Sequence, residues 1–375
     1  MKHRERVLMA LHHEPPDRCP MQISFTPEFA ARLKAELGLH DSDFHNPHGG
    51  GNTYLLERRL DEDMLLTSVG WANSYYATEA LSQDGRSYTD EWGITWQNVP
   101  YQTRFGTGQY TEMVGHPLAP VGPGQADDRA LDAYQPPDPN RPELYREAEQ
   151  VIREYRDEYW IVGVTVTTMF ETAWALRGYE QMLADFALNP DAVERLLDIP
   201  YRYHLAAATK LVELGVDMIW IGDDVGAQRS MLISPTTWRR FLKPRLAGFI
   251  ASLKGIRPDL KVAYHSDGNI TPIIPDLIDI GLDVLNPIQP RSMDPERLKR
   301  EFGSRLCFWG SIDEQHTLPF GSPAAVEQEV VARLETLGRQ GGLIIGPTHH
   351  VQLDTPLENF WAMVKAITQA PCHTP

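Results

Sequence analysis

From residue 143 onward, short and almost wholly apolar runs alternate with amphipathic stretches of helical period, and few architectures accept that rhythm. The runs are "YWIVGVTVTT" (159–168), "VDMIWIG" (216–222), "KVAYHS" (261–266), "DVLNPI" (283–288), "RLCFWG" (305–310) and "GLIIGP" (342–347). A strand that is apolar at nearly every position has no solvated face, so it belongs in a parallel sheet covered by helices. Helix starts are marked by chemistry. Ser234-Pro235 and Ser322-Pro323 set a capping hydroxyl before a first-turn proline, and Thr355-Pro356-Leu357-Glu358 reads as a capping box.

The residues just beyond each apolar run decide between two parallel-sheet folds. Asp223 and Asp224 come after the second run, His265 and Asp267 after the "KVAY" of the third, Gln289 after the fourth, Asp313 after the fifth, and His349 and His350 after the last. In a barrel, such residues at the carboxyl ends of successive strands share one rim, whereas an open sheet gathers its ligand at a switch point. No G-x-G-x-x-G or G-x-x-x-x-G-K-[ST] succeeds any run, so no nucleotide cofactor is read. The expectation is a single α/β domain over residues 1–375, a (β/α)8 TIM-type barrel, a length that barrels with insertions reach.

The N-terminal part elaborates that plan. Residues 1–13 and 27–37 read as helices, with "CPMQISF" extended between them. Residues 70–142 are rich in Gly, Pro, Tyr and Trp, and read as inserted short strands and long loops, with a small separate domain as the alternative. Trp71, Trp92 and Trp96 in this insert suit a lid or an apolar pocket wall against the substrate, or equally a dimer interface or a satellite core.

Charge and cysteine exclude whole classes of function. The formal net charge is −16, which argues against nucleic acid, since that binding draws on clustered Lys and Arg. A small molecule or a protein partner is expected. Cys19, Cys307 and Cys372 lie far apart with no C-x-x-C spacing, so neither a disulfide framework nor a cysteine zinc site can be read. No run reaches the roughly 20 apolar residues of a membrane span, nor the apolar core of a signal peptide, which sets the cytoplasm as the expected location.

The runs "GDDVGAQRSMLISPTTWRRFLKPRL", "HSDGN" with "PDLIDIGLDVLNPIQ", "FGSRLCFWGSIDEQHTLPFGSP" and "GPTHHVQLDTPLENFWAMVKAI" resemble the uroporphyrinogen decarboxylase superfamily. That group also holds zinc-dependent methyltransferases of methanol, methylamine and methoxy compounds, and the resemblance implies a (β/α)8 barrel. Two departures stand out. Where the decarboxylases carry an arginine-bearing loop for a polycarboxylate substrate, this chain has "MQISFTPEF", without arginine. Where the methyltransferases read His-x-Cys-Gly and place a second cysteine, this chain has His265, Asp267 and His349. Imidazole and carboxylate still make a sound site for zinc or another divalent metal, with a position open for substrate.

The resemblance implies two competing mechanisms. In one, a metal on His265, Asp267 and His349 acts as Lewis acid in methyl transfer from a small methylated compound to a thiol or a corrinoid protein. No D-x-H-x-x-G motif for embedded cobalamin is present, so the corrinoid would come on a separate partner. In the other, a metal-independent decarboxylase of a porphyrinogen-like or smaller carboxylated substrate uses His349 and Asp224 as acid and base. A ligand-binding barrel without catalysis is a third reading. Glu171 offers a fourth oxygen ligand, a general base, or merely the first-turn acid of a helix. Asp223, Gln289 and Asp313 are expected against the substrate, His350 as an exposed neighbour, and the "WRRFLKPRL" cluster as a solvated face. A homodimer is left open.

Overall fold

Hydroxyls and carboxylates set the helix starts, because the first turn of a helix leaves N–H groups without partners. In the computed structural model, which describes residues 1–39, 52–69, 85–120 and 128–370, Ser234 Oγ accepts from Thr237 N–H at 3.0 Å and Ser322 Oγ from Ala325 N–H at 3.2 Å. The box read at Thr355 does not form. That helix runs Leu357–Gln369 with no side chain capping it.

Each apolar run becomes a parallel strand. In chain order the strands are β1 (Met64–Ser68), β2 (Ser87–Thr89), β3 (Thr95–Thr103), β4 (Gly106–Gly115), β5 (Trp160–Val166), β6 (Met218–Gly222), β7 (Lys261–His265), β8 (Val284–Asn286), β9 (Cys307–Ile312) and β10 (Leu343–Pro347). Among the described residues, seven form one curled parallel sheet in the order β1-β5-β6-β7-β8-β9-β10. Strand β1 was not among the runs read from the sequence.

The "CPMQISF" segment occupies the eighth place. Met21 and Phe25 bridge to Ile345 and Val351 in parallel sense, while Asp63, just ahead of β1, donates its N–H to the Met21 carbonyl at 2.9 Å. Gly346 permits this approach, since a Cβ there would stand 2.0 Å from the Gln22 carbonyl oxygen. The side-chain period of two along each strand sorts the core. Val162, Val164, Val166, Met218 and Trp220 join one cluster, and Ile161, Ile219 and Ile221 join the larger one with the helices.

The insert turns its two described tryptophans, Trp92 and Trp96, into the core. Strands β2, β3 and β4 form an antiparallel sheet, and the Asp90 carboxylate accepts from the Trp92 and Ile94 N–H groups and from Trp96 Nε1–H at 2.8–3.0 Å. Trp92 packs edge-on against Tyr203 of helix Pro190–Leu214, ring centroids 4.8 Å apart. Trp92 and Trp96 are buried at about 1% exposure or less, within the same hydrophobic core as the barrel helices and not a satellite one. Trp71 lies outside the described residues. The basic cluster at 239–245 is tied to neighbouring helices, Arg239 and Lys243 to Asp276 and Arg245 to Glu194 and Asp198. No helix among the described residues is long and apolar enough to cross a membrane.

Candidate functional site

His265 is the last residue of β7, so a rigid strand end presents its ring to the rim. Its Nδ1 lies 2.6 Å from Asn286 Oδ1 at the end of neighbouring β8. Asn286 Nδ2 donates to the Trp309 carbonyl at 3.2 Å, which fixes the amide so that its oxygen faces the histidine. Nδ1 then carries a proton, and Nε2 is the nitrogen turned toward the rim. Nε2 is flanked by Asp224 Oδ1 at 3.6 Å and Asp267 Oδ1 at 4.0 Å.

Glycine brings the two carboxylates together. The loop after β6 lies backbone to backbone on the loop after β7, and a Cβ on Gly226 would stand 2.3 Å from the Asp267 carbonyl oxygen. Gly268 adopts φ +79°, and its own added Cβ would come within 2.6 Å of Gly226. Across this contact the Asp267 N–H donates to Asp224 Oδ1 at 2.7 Å. One ligand atom each from Asp224, His265 and Asp267 therefore falls within 4.8 Å of the others. Asp267 Oδ1 is buried with no hydrogen-bond partner, although the Gln289 side chain holds the same carboxylate.

His349 stands one ring further out. It comes just after β10, and its centroid lies 6.1 Å from that of His265. Burial, then the neighbouring His265, pushes its pKa down to about 4, so the ring is neutral near pH 7. The sequence grouped His349 with His265 and Asp267; the tightest group in the structure has Asp224 in that place. His350, expected at the surface, is buried at 7% exposure, its ring 4.3 Å from that of His349.

Around this group the carboxyls resist ionisation. Burial, and then the charges of Asp224 and Asp223, raises the pKa of Glu171 well above the usual range, and Glu171 Oε2 accepts from the Asp224 N–H at 3.0 Å. Burial raises Asp224 and Asp267 as well, with His265 pulling both back. Glu314, passed over in the sequence for its neighbour Asp313, is pushed up to about 8 by burial and then by the Asp267 charge. Adjacent residues in a turn face different ways, so nothing in "IDEQ" told which acid would look toward the site.

Three residues expected against the substrate have other duties. Asp223 is 1% exposed, and its carboxylate accepts from the N–H groups of Met169 and Glu171 at 2.9–3.1 Å, closing the start of helix Phe170–Arg177. Burial still pushes its pKa up to about 7 against those donors. Asp313 Oδ1 accepts from the Gln315 N–H at 2.9 Å and closes a turn. Gln289 accepts from the Gly268 N–H at 2.7 Å and steadies the Asp267 loop.

Next to the group opens a small pocket of about 50 Å³ that His265 shares with Gln22, Ser24, Trp220, Asn286 and His349. Gln22, Ser24 and Asn286 were missed in the sequence, yet each left a signal. Asn286 is polar inside an apolar run, and Gln22 and Ser24 alternate with Met21, Ile23 and Phe25.

A methylcobamide:CoM methyltransferase of Methanosarcina barkeri is 32% identical over 177 residues, 47% of this chain and 48% of the relative. This chain thus matches about half the length of that protein. A methylated-thiol–coenzyme M methyltransferase of Methanosarcina mazei is 26% identical over 84% of each chain. The solved structure of a methyltransferase from Methanosarcina mazei shares the fold, with a TM-score of 0.69 at 22% identity over 98% of this chain and 99% of that one. The family model for uroporphyrinogen decarboxylase (URO-D) matches residues 111–370, from the insert hairpin through every rim residue to the last helix. With its rim residues inside that match and its strands closing the same barrel, the chain belongs to the uroporphyrinogen decarboxylase (URO-D) family.

Proposed function

We propose that the protein is a metal-dependent methyltransferase, taking a methyl group from a small methylated compound to a thiol or to the corrinoid of a separate protein. The observation that carries this reading is the convergence of Asp224, His265 and Asp267, with His265 Nε2 turned toward both carboxylates and a buried, unpartnered carboxylate oxygen beside it. A buried acceptor without a donor is costly, and a cation answers it. These residues fit a divalent ion such as zinc, with His349 near enough to complete the set. When bound, the ion supplies Lewis acidity at the reacting heteroatom.

The chain's own residues do the rest. Asn286 holds the His265 tautomer, and Gln289 and the Asp224 carboxylate hold the Asp267 loop. Glu171, its pKa raised, holds a proton beside Asp224 and can return it to a leaving group. The two relatives with methyltransferase names support the reaction class, and the name methylcobamide supports a corrinoid partner.

Metal analysis of protein purified without chelator tests the reading. About one divalent ion per chain, lost in His265→Ala, is expected for a single catalytic site. Metal-free protein from metal-replete expression sinks it. If His349→Ala retains its metal and loses turnover, His349 is an acid or base and not a ligand.

A further inference from the structure

A second pocket, of about 280 Å³, opens on the rim where the loop after β6 meets the loop after β7. It is larger than the 50 Å³ pocket beside His265 and close to the ~300 Å³ at which small-molecule sites begin. Among the described residues, its lining includes none of Asp224, His265, Asp267 and His349, and no other Asp or Glu.

The frame of this pocket is backbone. Gly226 and Met231 bridge in antiparallel sense, with the Ala227 N–H donating to the Ser230 carbonyl at 2.6 Å and the Leu232 N–H to the Val225 carbonyl at 2.8 Å. Residues 225–232 thus form a tight hairpin. The Asn269 N–H donates to the Ala227 carbonyl at 2.8 Å and ties that hairpin to the neighbouring loop. A wall fixed in this way costs little to order when a ligand arrives.

The polar groups of the wall are donors. Arg229, at the hairpin tip, is exposed and forms no ion pair or hydrogen bond among the described residues, in a chain with 51 Asp and Glu against 35 Lys and Arg. Arg239 and Lys243, by contrast, are both answered by Asp276. Asn269 Oδ1 accepts from the Thr271 N–H at 3.1 Å, which fixes the amide and leaves its Nδ2 hydrogens as the group it can offer a ligand. Ser230 adds a hydroxyl, and Met231, Ile233 and Pro272 supply apolar wall.

We propose that this pocket is a second binding site on the rim, taking a small organic carboxylate whose oxygens meet Arg229, Ser230 and Asn269 while its chain lies on Met231, Ile233 and Pro272. A guanidinium pairs with a carboxylate through two parallel N–H···O bonds, and the amide and hydroxyl bring further donors to the same oxygens. An uncharged ligand would leave the guanidinium unanswered, and a bare inorganic anion would leave the apolar wall in water. The site goes beyond the metal-dependent reading and shares no residue with the metal group.

The test is a ligand-detected NMR titration with butyrate, butyramide and acetate. Butyramide, alike in shape but uncharged, should bind at least about tenfold more weakly than butyrate. Acetate should also bind about tenfold more weakly, the worth of two buried methylenes. Arg229→Gln should weaken butyrate by about tenfold while leaving butyramide binding and metal content unchanged. A divalent ion on Asp224, His265 and Asp267 can itself take a carboxylate, so the titration is repeated after chelation and on His265→Ala, where butyrate binding should persist. Loss of butyrate binding in both overturns the proposal, because the anion then sits on the metal. Equal binding of butyramide or acetate, no binding of butyrate, or indifference to Arg229→Gln overturns it as well. A protein without metal or methyl transfer that still binds butyrate through Arg229 defeats the proposed function and upholds this site.

Discussion

At the scale of single residues, the site turns on which histidine nitrogen holds a proton. Asn286 decides this for His265, and no charge is involved, only an amide oriented by the Trp309 carbonyl. Asn286→Ala should keep the fold and lower metal affinity by about 10- to 100-fold, the usual effect of losing such a supporting contact; competition with a chromogenic chelator measures it. Asp267→Cys should retain binding and shift preference toward softer metals, because a thiolate replaces an oxygen donor. The raised carboxyls make a pH prediction. Asp224 and Asp267 must lose their protons to hold a cation, and burial makes both harder to ionise. Metal release on acidification should therefore begin above the ordinary carboxylate range of about 4, which a pH series of equilibrium dialysis would show.

At the scale of elements, pairs of surfaces matter more than single groups. The loops after β6 and β7 meet backbone to backbone, and Gly226→Ala would force a methyl group against the Asp267 carbonyl. A stability loss of about 1–3 kcal/mol by urea unfolding is expected, with metal affinity lost out of proportion to it. Helix Pro190–Leu214 carries His204, 1% exposed, with both ring nitrogens unpartnered and its ring stacked on Trp92 of the insert. Burial depresses its pKa to about 3. Above pH 6.5 the ring is neutral whether folded or unfolded. As pH falls from there toward 3, only the unfolded chain takes up the proton, so stability is lost across that window. At pH 5 the loss is about 2 kcal/mol, and His204→Leu should abolish this part of the acid dependence in denaturant titrations.

At the scale of the whole molecule, barrel closure and site assembly are one event. Asp63, with no exposed surface, accepts from Arg6 and Arg18 at 2.6 Å and from the Met21 N–H at 2.7 Å, stitching the eighth-place segment to the start of β1. Asp63→Ala leaves two guanidinium groups without their shared partner and should cost about 3–5 kcal/mol in denaturant unfolding. The parallel sheet, the six apolar strands from β5 to β10 and the rim position of His265, Asp267, Asp224 and His349 were all legible in the chain, because strand burial and helix capping are written in local residue order. Strand β1 was not, since the Met and Leu of "MLLTS" run on from the helix-forming "LLERRLDED" and carry no β-branched run to set them apart. Gln22 and Asn286 left a local signal that went unread, but local order could not tell that Asp223 would be spent on a helix start, or that burial and the Asp267 charge would act on Glu314. Those outcomes depend on which loops touch and which carboxyl loses its water. Contacts between residues 40 to 320 positions apart settle both, and only the closed barrel makes them.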